Sequence, residues 1–208
     1  MGANIGQFAQ QLRQFGYCNR IVSFEPVRDS FELLKTQAEA DPFWETTSLA
    51  LGAYSHRARI NISRNSVSSS IRDLETKTLI AEPTVEYINS ECISVESLDT
   101  VFSRFVSPTD KVFLKVDVQG YENEVFQGAL QSLHRVEGLV LECSLSSLYK
   151  GEWELLDALE FFNSKNFVLW DMERVFSDRR TRKLLQVDAV FWNANNETPI
   201  SIPTGEAK

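Results

Sequence analysis

The sequence predicts an α/β fold of the doubly wound kind, a mostly parallel sheet with helices on both faces, and three observations carry that expectation. Short apolar runs that end in an acid recur along the chain, at residues 20–25, 112–117 and 139–142. Stretches of helical period lie between and after them, as around Leu34, Val101 and Leu159. A glycine-bounded turn, Gly2-Ala-Asn-Ile-Gly6, opens the first of these helical stretches. Strands that alternate with helices call for parallel pairing with right-handed crossovers.

Taken in order, Phe8, Leu12 and Phe15 share a helical face, and Gly16 is placed to stop that helix. The run 20–25, closed by Glu25-Pro26, is the pattern of a buried parallel strand. Asp29 and Ser30 offer capping oxygens to a second helix carrying Phe31, Leu34 and Ala38. Residues 46–54 read as one strand, and the alternation of Ala58, Ile60 and Ile62 as its hairpin partner. The serine-rich residues 63–90 have little apolar period and form a long irregular excursion, a kind of segment that is often functional. A short strand at Cys92, Ile93 and Val95 precedes a helix over 97–105.

Residues 112–117 and 139–142 are further buried strands, and Val125, Phe126, Ala129, Leu130 and Leu133 mark the helix between them. Leu155 to Phe162 is the last helix, followed by strands at 167–170 and 187–192. Residues 1–193 form one domain in this reading, with 194–208 a polar, frayed tail. The acids Glu25, Asp117 and Glu142 all fall at strand ends, so they should gather at the edge of the sheet where such folds bind ligands.

Charge excludes one class of partner. A net charge of -8 disfavours a phosphate-backbone binder, and the basic cluster Arg179, Arg180, Arg182 and Lys183 reads as a solvated turn. Three separated cysteines without a CxxC pair give neither a zinc site nor a disulfide framework, and a reducing cytoplasm is expected. No run of about 18 apolar residues is present, so no membrane span is expected. No metal-ligand spacing stands out either. The four tryptophans, Trp44, Trp153, Trp170 and Trp192, fall in apolar patterns and are expected to pack in the core.

The chemistry sits in the glycine turn and Glu25. Glycines let main-chain N–H groups approach a ligand, and an acid about twenty residues on is placed to accept from ribose hydroxyls. A dinucleotide normally wants a middle glycine for its pyrophosphate, and Asn4 and Ile5 hold that place here. S-adenosyl-L-methionine has no pyrophosphate, so methyl transfer is the better reading and a nucleotide-dependent oxidoreductase the weaker one.

Gly2-Ala-Asn-Ile-Gly6, Phe24-Glu-Pro26, residues 114–122 (LKVDVQGYE), residues 127–129 (QGA) and residues 186–188 (QVD) with Phe191 together resemble the FkbM methyltransferase family. The resemblance implies a Rossmann-like class I methyltransferase sheet. It also implies S-adenosyl-L-methionine as cofactor and a small-molecule hydroxyl acceptor such as a sugar. Gly2, Ala3, Asn4 and Gly6 would line the methionine side of the cofactor. Glu25 and Pro26 would lie at its ribose, and Ala50 and Leu51 near adenine. Asp117 would face the methyl-transfer pocket, with Glu122 and Glu142 as further catalytic candidates. Two departures are expected to matter. Gln119 stands where the family carries an acid, and the first core strand, which in the family runs into the glycine turn, has no counterpart. A non-catalytic piece of the same fold is therefore the alternative to the enzyme.

Overall fold

The computed structural model describes residues 1–196. In chain order the elements are α1 (Gln7–Gln14), β1 (Ile21–Phe24), α2 (Arg28–Ala38), β2 (Trp44–Thr47), β3 (Leu49–Leu51), β4 (His56–Ser63), α3 (Thr76–Ala81), β5 (Tyr87–Glu96), α4 (Leu98–Phe105), β6 (Val112–Val116), α5 (Glu122–Gln127), β7 (Val136–Ser144), α6 (Leu155–Ser164), β8 (Phe167–Ser177) and β9 (Leu184–Asn193). Ala194–Asn196 adds a 3-10 turn at the point where the polar tail was expected to begin, and the rest of that tail lies outside the described residues.

The α/β character follows the sequence, but the sheet is mixed instead of mostly parallel. β1 pairs with β2, β3 with β5 and β6 with β7 in parallel, whereas β4–β5, β7–β9 and β8–β9 are antiparallel. These ladders form three groups, β1-β2, β3-β5-β4 and β6-β7-β9-β8. The strand expected over 46–54 is two strands, because the chain changes partner around Ser48: β2 lies on β1 and β3 on β5. β4 pairs with β5, not with its predecessor, and the pairing draws Tyr87–Ser90 out of the expected irregular excursion.

Apolar pattern explains which strands are central. β7 buries Val136, Leu139, Leu141 and Cys143 and forms the middle of the main core with β6 and β9. Phe162 of α6 lies at its centre, with ring centroids 4.8 Å from Phe126 and 4.5 Å from Phe191. Helix α4 starts where Ser97 accepts from the Thr100 N–H, and it buries Leu98, Val101, Phe102 and Phe105. The expected caps Asp29 and Ser30 lie inside α2, whose N-cap is Val27 with no side-chain bond. Helix α5 stops at Gln127, and its C-cap Gly128 packs against the Gly52 carbonyl so closely that a Cβ there would meet the oxygen at 2.0 Å. Leu130, expected on that helix, is half exposed.

Phe8 and Phe15 are exposed, and Ala9 is the residue α1 buries. Trp44 is buried as expected, but Trp170 is 60% exposed on β8, an edge strand most of whose residues face solvent. The basic run forms the turn between β8 and β9. No helix among the described residues is long and apolar enough to cross a membrane.

Candidate active site

The glycine turn is built by close approach. Gly2 has φ of 68°, and a Cβ on it would stand 1.7 Å from the Asp117 carbonyl oxygen, so only glycine fits beside the end of β6. The turn is pinned on both sides: the Met1 nitrogen donates to the Lys115 carbonyl at 2.8 Å, and the Ala3 N–H donates to the Phe24 carbonyl at 3.0 Å. Gly6 answers to packing, since a Cβ would come within 2.7 Å of the Trp44 ring.

Glu25, at the end of β1, is buried with its carboxylate turned back on the turn. One oxygen accepts from the Asn4 N–H at 2.7 Å and the other from the Val27 N–H at 2.9 Å. Burial pushes its pKa up, and these two amides oppose the shift. Gly2, Asn4, Glu25, Pro26, Ala50, Leu51 and Asp117 line one cavity of about 60 Å³ at the carboxyl ends of β1, β3 and β6. Ala3 and Gly6 stand outside it, bordering a larger cavity beside α1. Gln119, singled out as a departure from the family pattern, also lines the small cavity, whereas sequence reasoning left out Ile60, Ser66, Val67, Ser69 and Ile71. The available signal was the serine-rich excursion, flagged for its length but not tied to the turn.

Asp117 and Glu142 are brought together through a neighbour. The Gln119 amide nitrogen donates to Asp117 at 2.7 Å and to Glu142 at 2.9 Å. Lys115 donates to the other Asp117 oxygen at 2.6 Å, the ion pair that strand period made possible. Glu142 also accepts from Gln186 at 3.0 Å. Burial, with Asp117 close by, drives the Glu142 pKa well above the usual carboxylate range. Glu122 lies behind the loop, where it accepts from the Val118 and Gly120 N–H groups at 3.2 Å each. Burial raises it to about 7.

Fold and site together define an α/β protein that gathers a glycine turn and strand-end acids around one recess, as ligand-binding α/β sheets do. The chain belongs to the FkbM methyltransferase family: the methyltransferase FkbM domain matches residues 1–169. Its fold is similar to that of methyltransferase FkbM from Methylobacillus flagellatus KT, with a TM-score of 0.51 at 16% identity over 90% of this chain. The match spans 41% of that longer chain. No curated protein matches.

Proposed function

We propose that the chain is an S-adenosyl-L-methionine-dependent O-methyltransferase acting in the cytoplasm on a hydroxyl of a sugar or other small natural product. The convergence of the Gly2–Gly6 turn, Glu25 and Asp117 on one recess carries the reading. The donor set suits the cofactor: a buried carboxylate for hydroxyls, a turn open to close main-chain approach, and apolar Ala50 and Leu51 beside them. When bound, the cofactor supplies a methyl group made electrophilic by its sulfonium. The residues then have to orient the acceptor oxygen and take its proton. Asp117 is the first choice for that task, with Glu142 and Glu122 behind it.

In this reading the sheet is doubly wound, and the place of the family's first core strand is the cleft between β1 and β6 that Met1, Val22, Phe113 and Lys115 border. The cleft between those strands supports that placement, and it equally supports the alternative, a non-catalytic piece of the fold. Calorimetry with S-adenosyl-L-methionine separates the two. The enzyme reading expects binding, and Glu25→Ala should weaken it by about 1.5–3 kcal/mol for each charged hydrogen bond lost. Unchanged affinity in the variant would remove Glu25 from the site, and no binding to the parent chain would favour the non-catalytic reading.

A further inference from the structure

Residues 66–71 form one wall of the small cavity and meet the site at three points. The Asn4 side chain donates to the Ser66 carbonyl at 3.4 Å, the Tyr149 hydroxyl lies 3.5 Å from the Ser68 carbonyl, and the Ser70 hydroxyl donates to the Gln119 carbonyl at 2.5 Å. The cavity behind them holds about 60 Å³. Pockets for ligands of the size of a nucleoside cofactor run to roughly 300–1,000 Å³. A nucleoside seated against Glu25, Ala50 and Leu51 therefore needs more room than this cavity gives, and the 66–71 wall is the segment placed to yield it.

Gln119 stands where the wall meets the acids. Its backbone, held at φ of 56°, receives the Ser70 hydroxyl, and its side-chain oxygen accepts from Tyr149 at 2.5 Å. The nitrogen of the same amide bridges Asp117 and Glu142. Turning the amide to free Tyr149 would withdraw the donor from both carboxylates.

We infer that Gln119 is a positioning residue that couples the 66–71 segment, as the cover of the cofactor seat, to the placement of Asp117 and Glu142. The inference rests on the methyltransferase reading for the identity of the ligand, but the coupling itself is a property of the free protein. Glu142 provides the test, because its hydrogen-bond partners are Gln119 and Gln186 and it has none in the cover.

Amide hydrogen exchange of Ser66, Val67 and Ser70 in the unliganded chain reads the cover directly, since these N–H groups are bonded to Ser63, Asn65 and Asn61. Glu142→Leu removes one acceptor of the Gln119 amide and should speed their exchange about five- to tenfold, with α4 amides as internal reference. On a Gln119→Leu background the same change should add nothing further. Exchange unaffected by Glu142→Leu, or equal effects on both backgrounds, would overturn the coupling. Stopped-flow binding of S-adenosylhomocysteine then tests the seat: Tyr149→Phe combined with Ser70→Ala, which removes two of the cover's three contacts but leaves the acids bridged, should raise the association rate. An unchanged rate overturns the cover, and absence of binding to every variant overturns the cofactor reading and this role for the segment with it.

Discussion

Glu122 is held well above the usual carboxylate range, and the cause is plain: a carboxyl group sealed behind the loop at Gly120 loses water, which long bonds from the Val118 and Gly120 N–H groups offset only in part. Its pKa rises from 4.5 to about 7. The folded state therefore prefers the protonated acid. The stability this contributes is full below about 4.5 and is lost as pH climbs through about 7. At 1.36 kcal/mol per unit the loss is roughly 3 kcal/mol. Glu122→Gln removes the titration, so urea denaturation of the two proteins between pH 4.5 and 8 should show the parent losing that amount relative to the variant. A constant difference across the range would mean that Glu122 is not the buried acid described.

Asp117 makes a second prediction at this scale. Lys115 and Gln119 each hold one of its oxygens, so it is oriented, as the proposed reaction asks of a group that aligns an acceptor hydroxyl. Asp117→Asn keeps the shape but weakens the pairing and removes basicity. Methyl transfer to a responsive hydroxyl acceptor should fall by about 10²–10⁴, the range for a lost general base, with cofactor affinity little changed. Near-normal transfer would leave Asp117 as a structural partner of Lys115. Its strand-end place was legible from the apolar run before it. The Gln119 bridge was not, because a left-handed residue joining two acids depends on where β7 lies.

At the scale of elements, buried patterns were easier to read than exposed or partner-dependent ones. β6 and β7 announce themselves as apolar runs, and α4 by its period. The division at Ser48 left no trace in propensity, since β2 and β3 differ only in their partners. β8 was read as four residues and has eleven, because an edge strand open to solvent needs no alternation. The glycine turn is the element whose role in the fold can be weighed by substitution. Gly2 and Gly16 both have positive φ, 68° and 86°, but an added Cβ collides at Gly2 and meets nothing within 4 Å at Gly16. Gly16→Ala should cost only the left-handed penalty, about 1–2 kcal/mol. Gly2→Ala should cost more, because the turn must also back away from β6. Equal urea midpoints for the two variants would show that the turn does not press on that strand.

For the molecule as a whole, the cleft between β1 and β6 is the feature with the greatest energetic reach. β2 occupies one edge of β1 and β7 one edge of β6, and among the described residues only Met1 and Ala3 bond to the facing edges, at their carboxyl ends. Cavities of about 790 and 630 Å³ flank the cleft. Leu98, Phe102 and Phe105 of α4 line the first, Phe8, Ala9 and Leu12 of α1 the second, and Val22 and Phe113 border both. Phe8 and Phe113, both exposed in this structure, border these cavities. An apolar strand laid parallel to both edges would place alternate side chains against α4 and α1 and pair with ladder groups on both sides. Each bond so formed contributes about 0.5–1.5 kcal/mol net. A chain carrying five apolar, β-branched residues directly before Met1 should therefore have a higher urea midpoint than the 208-residue chain. Its m-value should also rise, because more surface is buried on folding. The same extension with proline at its centre cannot donate to the ladder and should give back most of the gain. If both extensions leave midpoint and m-value unchanged, the cleft does not take a strand and the doubly wound order proposed for the sheet is wrong.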